Sequence, residues 1–202
     1  DDITMREKSI DSIKKELICC SRMGLEFLNI HPGAHKGQSK KVGLMRVCES
    51  LNSIKDYVGD VTLLFENTSG SGSVLGSTFD ELKILLDGTD FNCGITLDTC
   101  HLFTSGYDIS NKNSLEDTLS DFDNIVGLEN LKLIHLNDSV GELNSKIDRH
   151  EHIGLGKIGA SGFKAIINHE YLKKVPMIME TPVNEKRGDK ENINFLRGMI
   201  ET

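Results

Sequence analysis

The chain has 202 residues, 38% hydrophobic and 27% charged, enough for one sizeable core and too balanced for a disordered segment. No apolar run approaches the ~18 residues of a membrane span, and the N-terminus lacks the basic, apolar, small-residue progression of a signal peptide, so a soluble intracellular protein is expected. The formal charge of −8 speaks against a polyanionic partner, unless several carboxylates hold divalent cations that bring the total close to neutral.

Five cysteines, Cys19, Cys20, Cys48, Cys93 and Cys100, form an odd count with no C-x-x-C pair. This argues against a disulfide framework or a thiolate zinc finger and fits a reducing compartment, with the cysteines acting as small buried hydrophobes.

Taken in order, Ile10, Ile13, Leu17 and Cys20 recur at the helical period, and Gly24 marks the stop. Leu25 to Ile30 reads as a buried strand ended by His31-Pro32-Gly33. Leu44, Val47, Leu51, Ile54 and Val58 predict a second helix, and Val61 to Phe65 a second strand ending in Glu66-Asn67. Thr78-x-x-Glu81 is a capping box for a helix through Leu82, Leu85 and Leu86 that stops at Gly88. Cys93 to Leu97 is the third strand, ending in Asp98.

Ser114-x-x-Asp117 reads as the cap of a helix carrying Leu119, Phe122, Ile125 and Val126, and Leu131 to Ile134 as a fourth strand ending in His135-Leu136-Asn137-Asp138. The polar connection from Ser139 to Gly162 is too long for an ordinary loop and is a functional candidate. Phe163, Ile166 and Ile167 mark a short helix, Pro176 to Met179 a fifth strand ending in Glu180, and Ile193, Leu196 and Ile200 a last helix.

Strand alternating with helix predicts a parallel sheet with right-handed crossovers. An open doubly wound sheet feeds a site only from strands beside its switch point. Here all five strand ends carry a ligand-type residue: His31, Glu66, Asp98, His135 and Glu180. Only a closed or nearly closed barrel brings every carboxyl end to one axis, so the expected class is an α/β (β/α)8 barrel of TIM type. Such a barrel typically takes ~250 residues and eight strands. The expectation for residues 1–202 is therefore a single partial-barrel domain of about five C-terminal units, the first three missing.

Histidine and carboxylate without cysteine suit zinc, manganese or magnesium, and the histidine content favours zinc. A lone carboxylate at a strand end is more often solvated or capping a helix, and a lone histidine more often a satisfied polar residue; five out of five changes that weighting. His101, three residues past Asp98, and Asp148-Arg149-His150, with two ligand types on one face of an extended segment, join the set. Eight candidates imply more than one metal, and two or three cations make a phosphoryl-transfer site.

Five blocks in order, Asn29-Ile30-His31-Pro32-Gly33-Ala34-His35, Phe65 to Gly72, Leu97-Asp98-Thr99-Cys100-His101, His135 to Asp138 and Asp148-Arg149-His150, resemble the endonuclease IV family of apurinic/apyrimidinic endonucleases. The resemblance implies a monomeric TIM-type barrel with three zinc ions that cuts duplex DNA 5′ to an abasic site in base excision repair, with no membrane partner. It implies that His31 and Glu66 hold the first zinc, Glu66, Asp98, His135 and Glu180 the second, with Glu66 bridging, and His101, Asp148 and His150 the third. Glu66 and Glu180 would be catalytic, Glu180 by orienting or deprotonating the nucleophile. The family's first zinc takes another histidine from an earlier strand that these 202 residues do not supply. The chain alone is therefore expected to be poorly stable and nearly inactive.

Arg149, Lys146 and Asn67 are candidate DNA contacts, although a solvated surface is an equal reading for the two cations. Gly70-Ser71-Gly72 is a weak phosphate-loop candidate. His35 follows a Pro-Gly break and reads as a loop residue, His152 alternates with His150 and is its rival as a ligand, and His169 reads as exposed. A metal-dependent sugar isomerase on a similar barrel, with two metals, and an inactive metal-binding remnant are the alternative functions. Metal content separates them.

Overall fold

In the computed structural model, which describes residues 3–201, the chain opens on helix α1 (Ile3–Met23), with Leu17 and Cys20 buried. Gly24, at φ +67°, turns the backbone out of the helix. The amides of Gly24 and Leu25 bond back to the carbonyls of Ser21 and Cys20. Leu25 is thereby taken up by the helix stop, and strand β1 (Phe27–Ile30) begins two residues later than the hydrophobic run suggests.

Helix α2 (Lys40–Asn52) is capped by Ser39, whose hydroxyl accepts from the Val42 amide. It ends before Ile54 and Val58; a 3₁₀ turn (Lys55–Tyr57) carries those two into the core instead. After β2 (Thr62–Glu66) comes α3 (Phe79–Asp87), whose Thr78 hydroxyl accepts from Glu81 as the capping box predicts. The return half differs, because Glu81 Oε2 accepts from Gly76 and Ser77 and so ties down the turn before the helix.

Strand β3 (Cys93–Asp98) runs directly into a short helix, α4 (Thr99–Ser105), that periodicity does not predict. Thr99 to Thr104 are all buried, so α4 has no polar face to reveal it. Helix α5 (Lys112–Ile125) starts earlier than expected: its cap is Asn111, whose side chain accepts from Asn113 and Ser114, while Ser114 lies inside the first turn. Strand β4 (Leu131–His135) follows.

The long connection is partly ordered as an antiparallel pair, β5 (Asp138–Ser139) with β6 (His150–Glu151), and α6 (Gly159–Asn168) begins before Phe163. β7 is only Met177–Ile178, and α7 (Asp189–Arg197) stops short of Ile200.

The main sheet has the order β1-β2-β3-β4-β7, every pair parallel. Strand order follows chain order with no reversal, so there is no switch point, and the sheet is an arc of a barrel. Leu63, Phe65, Ile95, Leu97 and Ile134 face outward into the core with Leu44 and Leu51 of α2, Leu82 and Leu85 of α3, Phe122 of α5 and Phe163 and Ile166 of α6. No helix among the described residues is long and apolar enough to cross a membrane. Cys20, Cys48 and Cys100 are buried as expected, Cys93 is half-buried, and Cys19 is exposed, facing away from the core on α1.

The reassigned cap of α5 is testable by urea denaturation. Asn111→Ala is expected to cost about 1 kcal/mol through two uncapped amides. Ser114→Ala, inside the first turn, leaves both amides capped by Asn111 and should cost less; equal losses would return the cap to Ser114.

Candidate metal centre

Register and alternation assemble the site. Glu66 is paired with Thr96, Asp98 with His135, and His135 with Ile178. Laterally paired residues of a parallel sheet share a face, as do residues two apart on one strand. Thr96 and Asp98 therefore put Glu66, Asp98 and His135 on one face, with Asp98 two residues beyond the partner of Glu66 and level with His135.

Three overlapping groups result: His31, Glu66 and His101; Asp98, His101 and His150; and Glu66, Asp98, His135 and Glu180. The last is the set expected for the second zinc. His135 Nδ1 lies 3.3 Å from both Glu66 Oε1 and Glu180 Oε2, and His31 Nε2 lies 3.4 Å from Glu66 Oε2. Asp148 Oδ1 is 3.0 Å from His101 Nε2 and 4.0 Å from His150 Nε2. All eight sequence-derived candidates thus converge. Glu66, Asp98 and His101 lie deep, with side chains 5%, 0% and 3% exposed, while those of His31, Asp148 and Glu180 stand about half-exposed at the mouth.

The residues fit divalent cations. His135 Nδ1 and His150 Nε2 are buried and have no hydrogen-bond partner. Two ligands each ~2.0–2.1 Å from a tetrahedral zinc stand ~3.3 Å apart, the spacing seen around Glu66 and His135.

Backbone carbonyls select the free nitrogens. His101 Nδ1 lies 3.0 Å from the Asn67 carbonyl and His150 Nδ1 3.3 Å from that of Glu180. Each ring donates there, turning Nε2 of His101 toward Asp148 and Nε2 of His150 toward Asp98 and Asp148, the arrangement by which an outer partner orients a metal-binding histidine.

Without cations, protons hold the cluster together. Burial disfavours ionised Glu66, but the His101, His135 and His31 rings, each within 3.4 Å of its oxygens, outweigh it and keep its carboxyl well below the usual range. Burial likewise disfavours charged His101, yet Asp148 and Glu66 outweigh it and push its pKa up to about 11. The Asp148 carboxyl is pulled down in turn by His101.

Asn67 is not placed to meet DNA. It is buried, its amide donates to the Asp98 carbonyl, and its side-chain oxygen accepts from the Asp98 amide. Arg149 and Lys146 are exposed on the long loop, Lys146 donating to the Ser105 carbonyl. Gly70 and Gly72 have φ of +79° and +56°, and a Cβ on Gly70 would sit 3.3 Å from Lys146 Cδ, so both glycines meet a backbone need.

His152 is fully buried between Asn184 and Asn192, both ring nitrogens 3.0 Å from a side-chain partner, which removes it as rival ligand. His35 is half-buried, outside the three groups. His169 is not exposed as expected: its Nδ1 accepts from the Tyr171 and Leu172 amides, capping a 3₁₀ turn.

Asn137 is a functional residue that sequence reasoning misses. It is fully buried, donating to Asp98 Oδ2 at 2.5 Å and accepting from the Glu180 amide at 2.9 Å, so it ties two strand ends together across β4. Asn29 similarly donates to Glu66 Oε2. Both stand inside the ligand-bearing motifs, but nothing in their spacing reveals those bonds.

The metal-free chain should lose stability as pH rises. Folded His101 holds a proton that the unfolded chain releases near its ordinary value of 6.5, so this contribution is full below about 6.5 and is lost toward about 11. In excess chelator the urea midpoint is expected to be lower at pH 9 than at pH 6, with a smaller difference in Asp148→Asn. The same pH response in that variant would argue against the His101–Asp148 pair as its source.

Residues 1–199 match the family described as "Xylose isomerase-like TIM barrel". A probable endonuclease 4 from Methanoculleus marisnigri is 41% identical over 200 residues, covering 97% of this chain and 71% of that protein. The crystal structure of endonuclease IV from Thermus thermophilus matches with a TM-score of 0.82 at 34% identity, over 96% of this chain and 68% of that one. A D-tagatose 3-epimerase-like protein, 21% identical with a TM-score of 0.71 over 98% of this chain and 70% of that one, shares the fold alone. With this identity along nearly its whole length, and with the arc of parallel strands that the match requires, the chain belongs to the endonuclease IV family of xylose isomerase-like TIM barrels.

Proposed function

We propose that the chain is a zinc-dependent apurinic/apyrimidinic endonuclease that hydrolyses the DNA phosphodiester 5′ to an abasic site and leaves a 3′-hydroxyl. The observation that carries this reading is the convergence of four carboxylates and four imidazoles at one end of the sheet, in a chain 41% identical to a probable endonuclease 4.

Glu66, Asp98, His135 and Glu180 would hold one zinc, His31 and Glu66 a second that shares Glu66, and His101, Asp148 and His150 a third. Bound there, the cations act as Lewis acids on the phosphate and stabilise charge on the leaving oxygen. Half-exposed Glu180, beside His135 at 3.3 Å, is the carboxylate able to orient an attacking water and take its proton at Oε2. Glu66, buried and hydrogen-bonded from below by Asn29, stays ionised and keeps its position. Arg149 and Lys146 supply phosphate contacts that position the duplex without reading its sequence.

A sugar isomerase on the same barrel is the weaker reading. The epimerase-like relative is similar in fold alone, and such chemistry has no need of Asp148 and His150 on an exposed loop.

The test is single-turnover cleavage of a duplex bearing one abasic site by the full-length protein, these 202 residues alone being expected to be nearly inactive, with zinc content measured on the same protein. Cleavage 5′ to the site, loss on chelation and recovery with zinc are expected. Glu66→Gln should lower the rate by about 10²–10³-fold, the scale of losing an electrostatic stabiliser of the transition state. Cleavage insensitive to chelator, or equally fast at ordinary phosphodiesters, would sink the proposal.

A further inference from the structure

Among the described residues two buried carboxylates belong to none of the ligand groups, Glu81 at the start of α3 and Asp138. Asp138, on β5 and fully buried, is surrounded by backbone amides. Its Oδ1 accepts from Ser139 at 2.8 Å, Ile158 at 3.0 Å and Gly159 at 3.4 Å, and its Oδ2 accepts from Gly154 and Gly156, both at 2.9 Å. All five partners are donors, so they fit the ionised carboxylate, which only accepts; a protonated carboxyl would set one donor against another. N–H bonds to a carboxylate are also the stronger kind.

The placement of those amides matters more than their number. Ser139 stands at one foot of the long loop and Gly154 to Gly159 at the other, with Asp148, Arg149 and His150 between them. Val140 donates to the Arg149 carbonyl and Lys157 to that of Ser139, so both feet are zipped beside the carboxylate. β5 pairs Ser139 with His150, which sets His150 directly above this anchor.

Packing does little to hold the rest of the loop. Glu142, Leu143, Asn144 and the run Lys146 to Arg149 are exposed, and the tip is attached through Asn144 and Lys146 amides to the carbonyls of Phe103 and Thr104 at the end of α4. Gly156 is required for the close approach at the other foot: a Cβ there would lie 2.5 Å from Asp138 Oδ1.

We propose that Asp138 is a positioning residue for the third ligand set: by gathering the two feet of the 139–159 loop onto one charge, it sets Asp148 and His150 opposite His101. The role rests on the assignment of those three residues to one zinc. Asp138 itself is in none of the ligand groups.

The experiment compares wild type, Asp138→Asn and Gly156→Ala by zinc titration of the metal-free chain, with Asp148→Ala marking which zinc is the third. Hydrogen exchange of the same metal-free proteins reports on the loop. In Asp138→Asn one oxygen becomes a donor facing the amides. Faster exchange at Val140 and Lys157 is expected, with about 10- to 100-fold weaker binding of the third zinc alone, the usual effect of removing a residue that orients a ligand. Gly156→Ala keeps the charge but presses a methyl against both the carboxylate and the Ser139 carbonyl, forcing the two feet apart; the same selective loss is expected, and this variant decides the matter if Asp138→Asn does not fold. Wild-type exchange and zinc affinity in both variants, or equal weakening of every zinc, would overturn the proposal. If Asp148→Ala removes no step from the wild-type titration, the metal assignment itself has failed, and Asp138 is then only a loop anchor.

Discussion

Carboxylates that repel one another, two of them nearly dry, sit together at the strand ends, and the rest of the structure is arranged around keeping them there. Glu66 and Asp98 are 5% and 0% exposed, and Asp148 and Glu180 close over them from the solvent side. Like charges in a low-dielectric pocket demand compensation. In the metal-free chain histidine protons supply it, and cations able to replace those protons are the natural occupants. A chain of charge −8 can in this way present positive charge to a phosphate at one place.

Holding that cluster needs directed bonds from neighbours that carry no charge. Asn137 and the His101 amide each take one oxygen of Asp98, Asn29 holds Glu66, and the carbonyls of Asn67 and Glu180 turn the His101 and His150 rings. These partners are side-chain amides and backbone groups, which have no titrating proton of their own. Asp138 extends the same principle outward, from the ligands to the loop that brings two of them.

The parallel sheet lets few residues do this. Each strand delivers one ligand at its carboxyl end, and the order β1-β2-β3-β4-β7 sends all of those ends to one side of an arc. Helix α4 adds His101 by starting on the last strand residue, Asp98, which caps it through the His101 amide. Asp98 is thus helix cap and candidate ligand at once, so the local fold and the chemistry share a side chain.

The five strand–helix alternations and the ligand type at each strand end were legible in the chain alone, because periodicity, breakers and caps act over a few residues. The same locality explains the errors. Leu25 belongs to a helix stop, α4 is buried all round and shows no period, and Asn111 rather than Ser114 begins α5 because its side chain is the one that reaches the free amides. Only the tertiary structure decided that Asn67 faces inward, that His152 is satisfied by two asparagines, and that Asn137 and Asp138, adjacent in one motif, serve a ligand and a loop respectively. Those outcomes depend on strand register and on where a distant turn returns to the sheet, distances across the fold that no local pattern carries.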